Sequence, residues 1–164
     1  MRKEVMIDAS KCNGCLSCTV ACSAAHIPSG DPLEALLTGE PSRIAVYSVH
    51  GKAVPITCRH CDEPACVNAC MAGAMQKNAE SGRVKNENTG HDCIGCWMCV
   101  MACPYGVINQ REKEGRSVAV KCDGCVGRSV PACVESCPNG ALTYGPVNEY
   151  AETKQRQAAA SQVA

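Results

Sequence analysis

A chain of 164 residues has room for one domain, or for two small ones sharing a core. With no Phe, one Trp and four Tyr, large side chains supply little of that core, whereas cysteine at 16 positions implies disulfide staples or metal. Sixteen Lys and Arg balance sixteen Asp and Glu, and the lack of any basic stripe argues against a nucleic-acid partner.

The start, Met1 to Asp8, has no apolar run or cleavage pattern of a secretory signal, and Arg2-Lys3 is not a twin-arginine pair. No stretch approaches the roughly 18 apolar residues of a membrane span. The chain therefore reads as cytoplasmic, where disulfides are rare, although export with a partner that carries the signal stays open.

Cysteines come in four groups of four: Cys12, Cys15, Cys18, Cys22; then Cys58, Cys61, Cys66, Cys70; then Cys93, Cys96, Cys99, Cys103; then Cys122, Cys125, Cys133, Cys137. Between the first two lies 27–42, with Pro28, Pro32 and Pro41, which reads as a linker-like insertion. The runs 43–49 and 53–57 read as a hairpin turning at His50-Gly51-Lys52. A second hairpin is expected from 74–77 and 83–86, and a third from 106–109 and 117–121. A short helix is expected after the third cysteine of each group. The tail 150–164, rich in Gln and Ala with a Glu152–Arg156 pair at i, i+4, reads as a frayed terminus or as a helix that orders on a partner.

The first and third groups have the spacing C-x2-C-x2-C-x3-C; the second and fourth widen the middle gap. Gly14, Gly95 and Gly124 precede the second cysteine of three groups, and Cys103-Pro104 and Cys137-Pro138 end two of them. One unit used four times is the implication. Three closely spaced thiolates wrap one face of a compact iron–sulfur cube, and the fourth, about a helical turn on, points to a second. Glycine lets the chain bend close to a cube so that N–H groups face its sulfurs. Zinc, which takes two separated C-x2-C pairs, fits poorly, and c-type haem would need a His after a C-x-x-C. Sixteen cysteines then make four [4Fe–4S] clusters, so that His26, His50 and His91 are not needed as ligands.

If each fourth cysteine serves another cluster, the groups must pair. The inner pair is expected to be Cys58, Cys61, Cys66 with Cys103, and Cys93, Cys96, Cys99 with Cys70. The outer pair is Cys12, Cys15, Cys18 with Cys137, and Cys122, Cys125, Cys133 with Cys22. Spacing alone leaves an adjacent arrangement open. The expected fold is α+β, two ferredoxin-like lobes organised around the clusters: 1–27 with 116–149 as the outer lobe, 28–52 as insertion and hairpin, 53–115 as the inner lobe and 150–164 as the tail. Trp97 and Met98 are expected to shield the third group from water. His60, standing where the other groups have Gly, is a candidate donor to a cluster sulfur, a partner contact or a structural residue.

The segments Cys58 to Cys66, Cys93 to Cys99, Cys122 to Cys125 and Pro131 to Pro138 resemble the four-cluster electron-transfer subunits of multi-subunit redox enzymes, over about 7–144. The family includes iron–sulfur subunits of formate dehydrogenase, formate hydrogenlyase, dimethyl sulfoxide reductase, carbon monoxide dehydrogenase and tungsten aldehyde oxidoreductase complexes. The resemblance implies the same cluster pairing and a non-catalytic subunit that passes single electrons. Its partners would be a tungsten, molybdenum or nickel enzyme subunit and a second redox subunit, with self-association into filaments as a further expectation. The alternative is a freely diffusing polyferredoxin. No G-x-G-x-x-G or G-x-x-x-x-G-K-[ST] offers a nucleotide site.

Overall fold

Two dipeptides with left-handed backbone set the clearest hairpins. His50-Gly51 (φ 49° and 75°) joins β2 (Ile44–Val49) to β3 (Lys52–Thr57), and Glu114-Gly115 (φ 51° and 73°) joins β6 (Asn109–Lys113) to β7 (Arg116–Val120). Positive φ at both central residues matches the twist of the flanking strands, which is why these loops need only two residues. In the computed structural model, which describes residues 3–163, β4 (Gln76–Lys77) and β5 (Val84–Lys85) form a third, shorter hairpin. A fourth sheet has no local signal in the sequence. There β1 (Lys3–Ile7) pairs antiparallel with β8 (Leu142–Pro146), Ile7 opposite Leu142, and ties the two ends of the chain together.

Helices begin inside the cysteine runs. α1 (Ser17–Ala24), α3 (Ala65–Asn68), α4 (Met98–Ala102) and α5 (Ala132–Glu135) each start on the residue before the third cysteine of a group. Leu16 and Trp97 cap α1 and α4 with nearly identical left-handed dihedrals (φ 62°), while Pro64 and Pro131 precede α3 and α5. The first and third groups thus fold alike in backbone as well as in spacing.

The insertion is not mere linker. Asp31 accepts N–H bonds from Leu33 (2.7 Å) and Glu34 (3.0 Å) and starts α2 (Pro32–Leu37), with Pro32 in the first turn. Proline there is a helix starter, since its missing N–H would have no partner anyway. In the tail, Val147–Ser161 forms α6, anchored by an ion pair of Lys154 Nζ with Asp8 Oδ2 at 2.5 Å. That pair holds the Asp8 carboxyl down at about 2, first through the Lys154 hydrogen bond and then through Ser10. Asp8→Asn is expected to release α6 and speed tryptic cleavage after Lys154 and Arg156, with iron content unchanged; cleavage at the wild-type rate would show that α6 docks without the pair.

Buried apolar residues fall into two clusters. One joins Cys18, Cys22, Ile44, Cys133 and Leu142, with Val5, Ile7, Val46 and Val134 against it. The other joins Met75, Val84, Cys99, Ile108 and Ala119, with Trp97 and Val100 against it. Hairpin β2–β3 thus adds Ile44 and Val46 to the core built by the chain's two ends. A square of charge ties the insertion to the second half of the chain: Arg43 and Arg111 each reach both Glu40 and Glu87, at 3.2–3.5 Å. The chain is α+β, and no helix among the described residues is long and apolar enough to cross a membrane.

Candidate metal centre

All sixteen cysteines are free thiols, and the fold gathers them across groups. α1 carries Cys18 and Cys22 four residues apart, yet the two have different neighbours. Burial, then Cys12, Cys137 and Cys15, push the Cys18 thiol up to about 11. Cys22 instead lies beside the thiols of Cys122, Cys125 and Cys133. In the middle of the chain, Cys66 neighbours Cys58 and Cys103. Cys99 neighbours Cys93 and Cys70, and burial pushes it to about 11. A small cavity of about 20 Å³ is walled by Cys70, Cys93, Cys96 and Cys99, with Met75, Trp97 and Ala119. Cys61 lies half-buried on the loop between Cys58 and Cys66.

Main-chain donors converge on these sulfurs. Arg43 N–H donates to Cys22 Sγ (3.2 Å), Gly124 to Cys122 (3.3 Å), His60 to Cys58 (3.4 Å), Met75 to Cys70 (3.3 Å) and Ala119 to Cys93 (3.5 Å). Such donors favour the thiolate form, whereas burial among other thiols opposes it; Cys133 is driven far up by burial and by Cys122, Cys22 and Cys125. Multiply charged metal at the centre of each group resolves that conflict, because a coordinating thiol is deprotonated outright. The donor set therefore fits four iron–sulfur cubes.

Local backbone explains the close approach. A Cβ added at Gly95 (φ 72°) would lie 2.5 Å from the Ser117 carbonyl oxygen, whereas one at Gly14 (φ 76°) would meet only the Ala53 methyl at 3.3 Å. Left-handed strain is common to both, about 1–2 kcal/mol, but only Gly95 faces backbone that cannot yield. Gly95→Ala is expected to lower the temperature at which visible absorbance is lost by more than Gly14→Ala does. Equal losses would mean that the Ser117 contact is unimportant.

His60 takes the glycine's place with φ 45°, its N–H on Cys58 and its ring Nδ1 accepting the Val84 N–H at 3.0 Å. It is 3 % exposed, so of the three expected roles the partner contact is the one its burial disfavours. Trp97 packs into the second core as expected, while Met98 stays 39 % exposed and shields little.

Three residues near the thiols carry no sequence signal. Arg43 and Lys121 are buried polar side chains. His26 contacts the Cys22 carbonyl through Nδ1 (2.6 Å) and Asp123 Oδ1 through Nε2 (3.2 Å). Burial alone would lower its pKa, yet the Asp123 carboxylate, then the Cys22 thiol and carbonyl, raise it to about 10. His26, Asp123 and Cys125 lie within 4.8 Å of one another, but both ring nitrogens of His26 are already engaged, one by the Cys22 carbonyl and the other by Asp123.

Comparison with known proteins closes the case. A 4Fe-4S dicluster domain matches residues 49–147, and a 4Fe-4S binding domain matches residues 9–25. This chain belongs to the 4Fe-4S dicluster family. Among the relatives of this dicluster protein is an "Iron-sulfur protein" of Rhodospirillum rubrum, 36 % identical over 92 % of this chain and 86 % of that one. One subunit of the anaerobic dimethyl sulfoxide reductase of Escherichia coli is 37 % identical over 87 % of this chain and 73 % of its own length. The beta subunit of NADH-dependent phenylglyoxylate dehydrogenase of Aromatoleum evansii is 36 % identical over 85 % of this chain but only 29 % of its own length. The chain is an iron–sulfur electron-transfer protein, and its cofactors are [4Fe–4S] clusters, four in number.

Proposed function

We propose that this chain is the non-catalytic wire of a cytoplasmic redox complex, taking single electrons from one subunit and delivering them to another. The observation that carries the proposal is the crossed gathering of thiols. Cys12, Cys15, Cys18 and Cys137 would hold one cluster, and Cys122, Cys125, Cys133 and Cys22 its neighbour. Cys58, Cys61, Cys66 and Cys103 would hold a third, and Cys93, Cys96, Cys99 and Cys70 the fourth. The two apolar clusters support two lobes of two clusters each, 1–27 with 116–149 and 53–115.

Neighbour relations support a linear order. Cys18 and Cys133 lie close together and join the first set to the second. Thr57, buried and next to Cys58, bonds to Cys122 and joins the second set to the third. The inner sets share one core. At each end of the line stands an exposed cysteine, Cys15 or Cys96, flanked by exposed apolar residues: Leu16 and Val20 at one end, Ile94 and Met101 at the other. Those ends are the ports at which partners dock.

When bound, the clusters supply one-electron redox chemistry between their two oxidation levels. The protein's part is to space them, to exclude water with Met75, Ile108 and Trp97, and to aim N–H donors at their sulfurs. The partner that makes or consumes the electrons would be a molybdenum, tungsten or nickel oxidoreductase subunit. Anaerobic purification of the tagged chain from its host, with elemental analysis of what comes with it, tests this. Molybdenum, tungsten or nickel in stoichiometric amount is the expected result; an isolated chain carrying iron alone would contradict it and leave the freely diffusing polyferredoxin.

A further inference from the structure

Lys121 is 2 % exposed. Its Nζ donates to the Val84 carbonyl and, at 2.6 Å, to the Cys122 carbonyl. Those two main-chain oxygens are its hydrogen-bond acceptors among the described residues, and no carboxylate pairs with it there. A buried ammonium held by carbonyl dipoles alone is costly, and buried charges are normally paired with an opposite charge or a metal site. The surroundings are built to hold it in place. Val84 is 1 % exposed, and its N–H is fixed by His60 Nδ1 at 3.0 Å, so the carbonyl facing Lys121 is anchored to the Cys58–Cys61 loop. The other carbonyl belongs to a cysteine of the second set. Lys121 therefore stands on the boundary between the second and third sets, and its charge is felt at the thiol of Cys66 as well as at that of Cys122.

We propose that Lys121 is a positioning residue for electron transfer: a fixed positive charge lodged between the two middle clusters, which favours their reduced states and eases passage of an electron from one half of the wire to the other. This rests on the ligand sets given under the proposed function. An oxidised cube with four thiolates carries a net charge of about −2, and one added electron makes it about −3. Lys121 is attracted more strongly by the reduced than by the oxidised form of either neighbour, and so raises both potentials. The first and fourth sets lie beyond the two that Lys121 touches and feel its charge less.

The test is an EPR-monitored redox titration of the anaerobically prepared holoprotein, comparing wild type with Lys121→Gln, Lys121→Met and Lys121→Arg. Gln keeps hydrogen-bond donors for the two carbonyls while removing the charge. Expected is a fall in two of the four midpoint potentials, each by a factor of about ten in the reduction equilibrium, or about 59 mV, with restoration in Lys121→Arg. Signals are assigned with Cys66→Ser and Cys122→Ser, which should each perturb a different one of the two that shift. If all four potentials stay in place in fully loaded Lys121→Gln, or move together, the proposal is overturned. Loss of clusters in both neutral variants but not in Lys121→Arg supports it, because the charge is then what lets two anions sit side by side; loss in Lys121→Arg as well assigns Lys121 a packing role and overturns it. Should Cys66→Ser and Cys122→Ser disturb one and the same signal, the ligand sets fail, which is distinct from failure of the lysine's role.

Discussion

Anaerobic removal of iron is expected to unfold this chain rather than leave a stable apoprotein. Ile44, Met75, Val84, Val107, Ile108, Val120 and Leu142, with Pro55, Pro64 and Pro131, are the buried apolar side chains larger than cysteine among the described residues. Fully burying each such side chain is worth about 1.5–3 kcal/mol, whereas ordering one residue's backbone costs about 1–2 kcal/mol. Four separate two-stranded sheets cannot make up the difference, since an isolated hairpin is marginal in water. The remaining interior is thiols: Cys18, Cys22, Cys99, Cys125 and Cys133 are buried, and without metal those of Cys18 and Cys99 stay protonated up to about 11. Binding free energy at the metal sites is then folding free energy. Chelation should abolish the far-UV signature of the helices and move the emission of Trp97, the one tryptophan, to longer wavelength as the second core opens. Iron and sulfide should restore both. An apoprotein that kept its blue-shifted Trp97 emission would show that packing alone sustains the fold.

The second large effect concerns Cys22. Substituting it with alanine is expected to destroy the cluster of Cys122, Cys125 and Cys133, whose ligands lie about a hundred residues away, and to spare the cluster of its sequence neighbours Cys12, Cys15 and Cys18. Helix α1 makes this possible by presenting Cys18 to Cys137 and Cys22 to Cys133 from successive turns. Iron content should fall by about four per chain or, where a three-iron remnant survives, by about one. Comparison of EPR spectra decides the point: Cys22→Ala and Cys125→Ala should lose the same signal and Cys18→Ala another. If Cys22→Ala and Cys18→Ala lose the same signal, each group keeps its own cluster and the crossed assignment fails.

Much of this is legible in the sequence because cysteine spacing is local and chemically specific. The repeat of Cys-x2-Cys with glycine points to cubes, and turn residues locate the hairpins to within a few positions. What stays hidden is non-local. β1 pairs with β8 across most of the chain, and nothing in Lys3 to Ile7 announces its partner. The helix at Pro32 is masked because three prolines look like breakers, although Asp31-Pro32 followed by Glu34 is a helix start. The order of α6 is hidden because its anchor, Lys154 on Asp8, joins residues far apart in sequence. Lys121, Arg43 and His26 are invisible for the same reason: sequence displays a charge but not its burial. His60 stands out only as a departure from glycine, and its left-handed backbone shows that the position demands the conformation rather than the residue.

The most direct measurement is iron and acid-labile sulfide per polypeptide on anaerobically isolated chain, with Mössbauer spectra to count iron environments. Four cubes predict about sixteen irons and sixteen sulfides, all in [4Fe–4S] form. A content of about eight, or zinc in place of iron at half of the cysteines, would contradict a four-cluster wire.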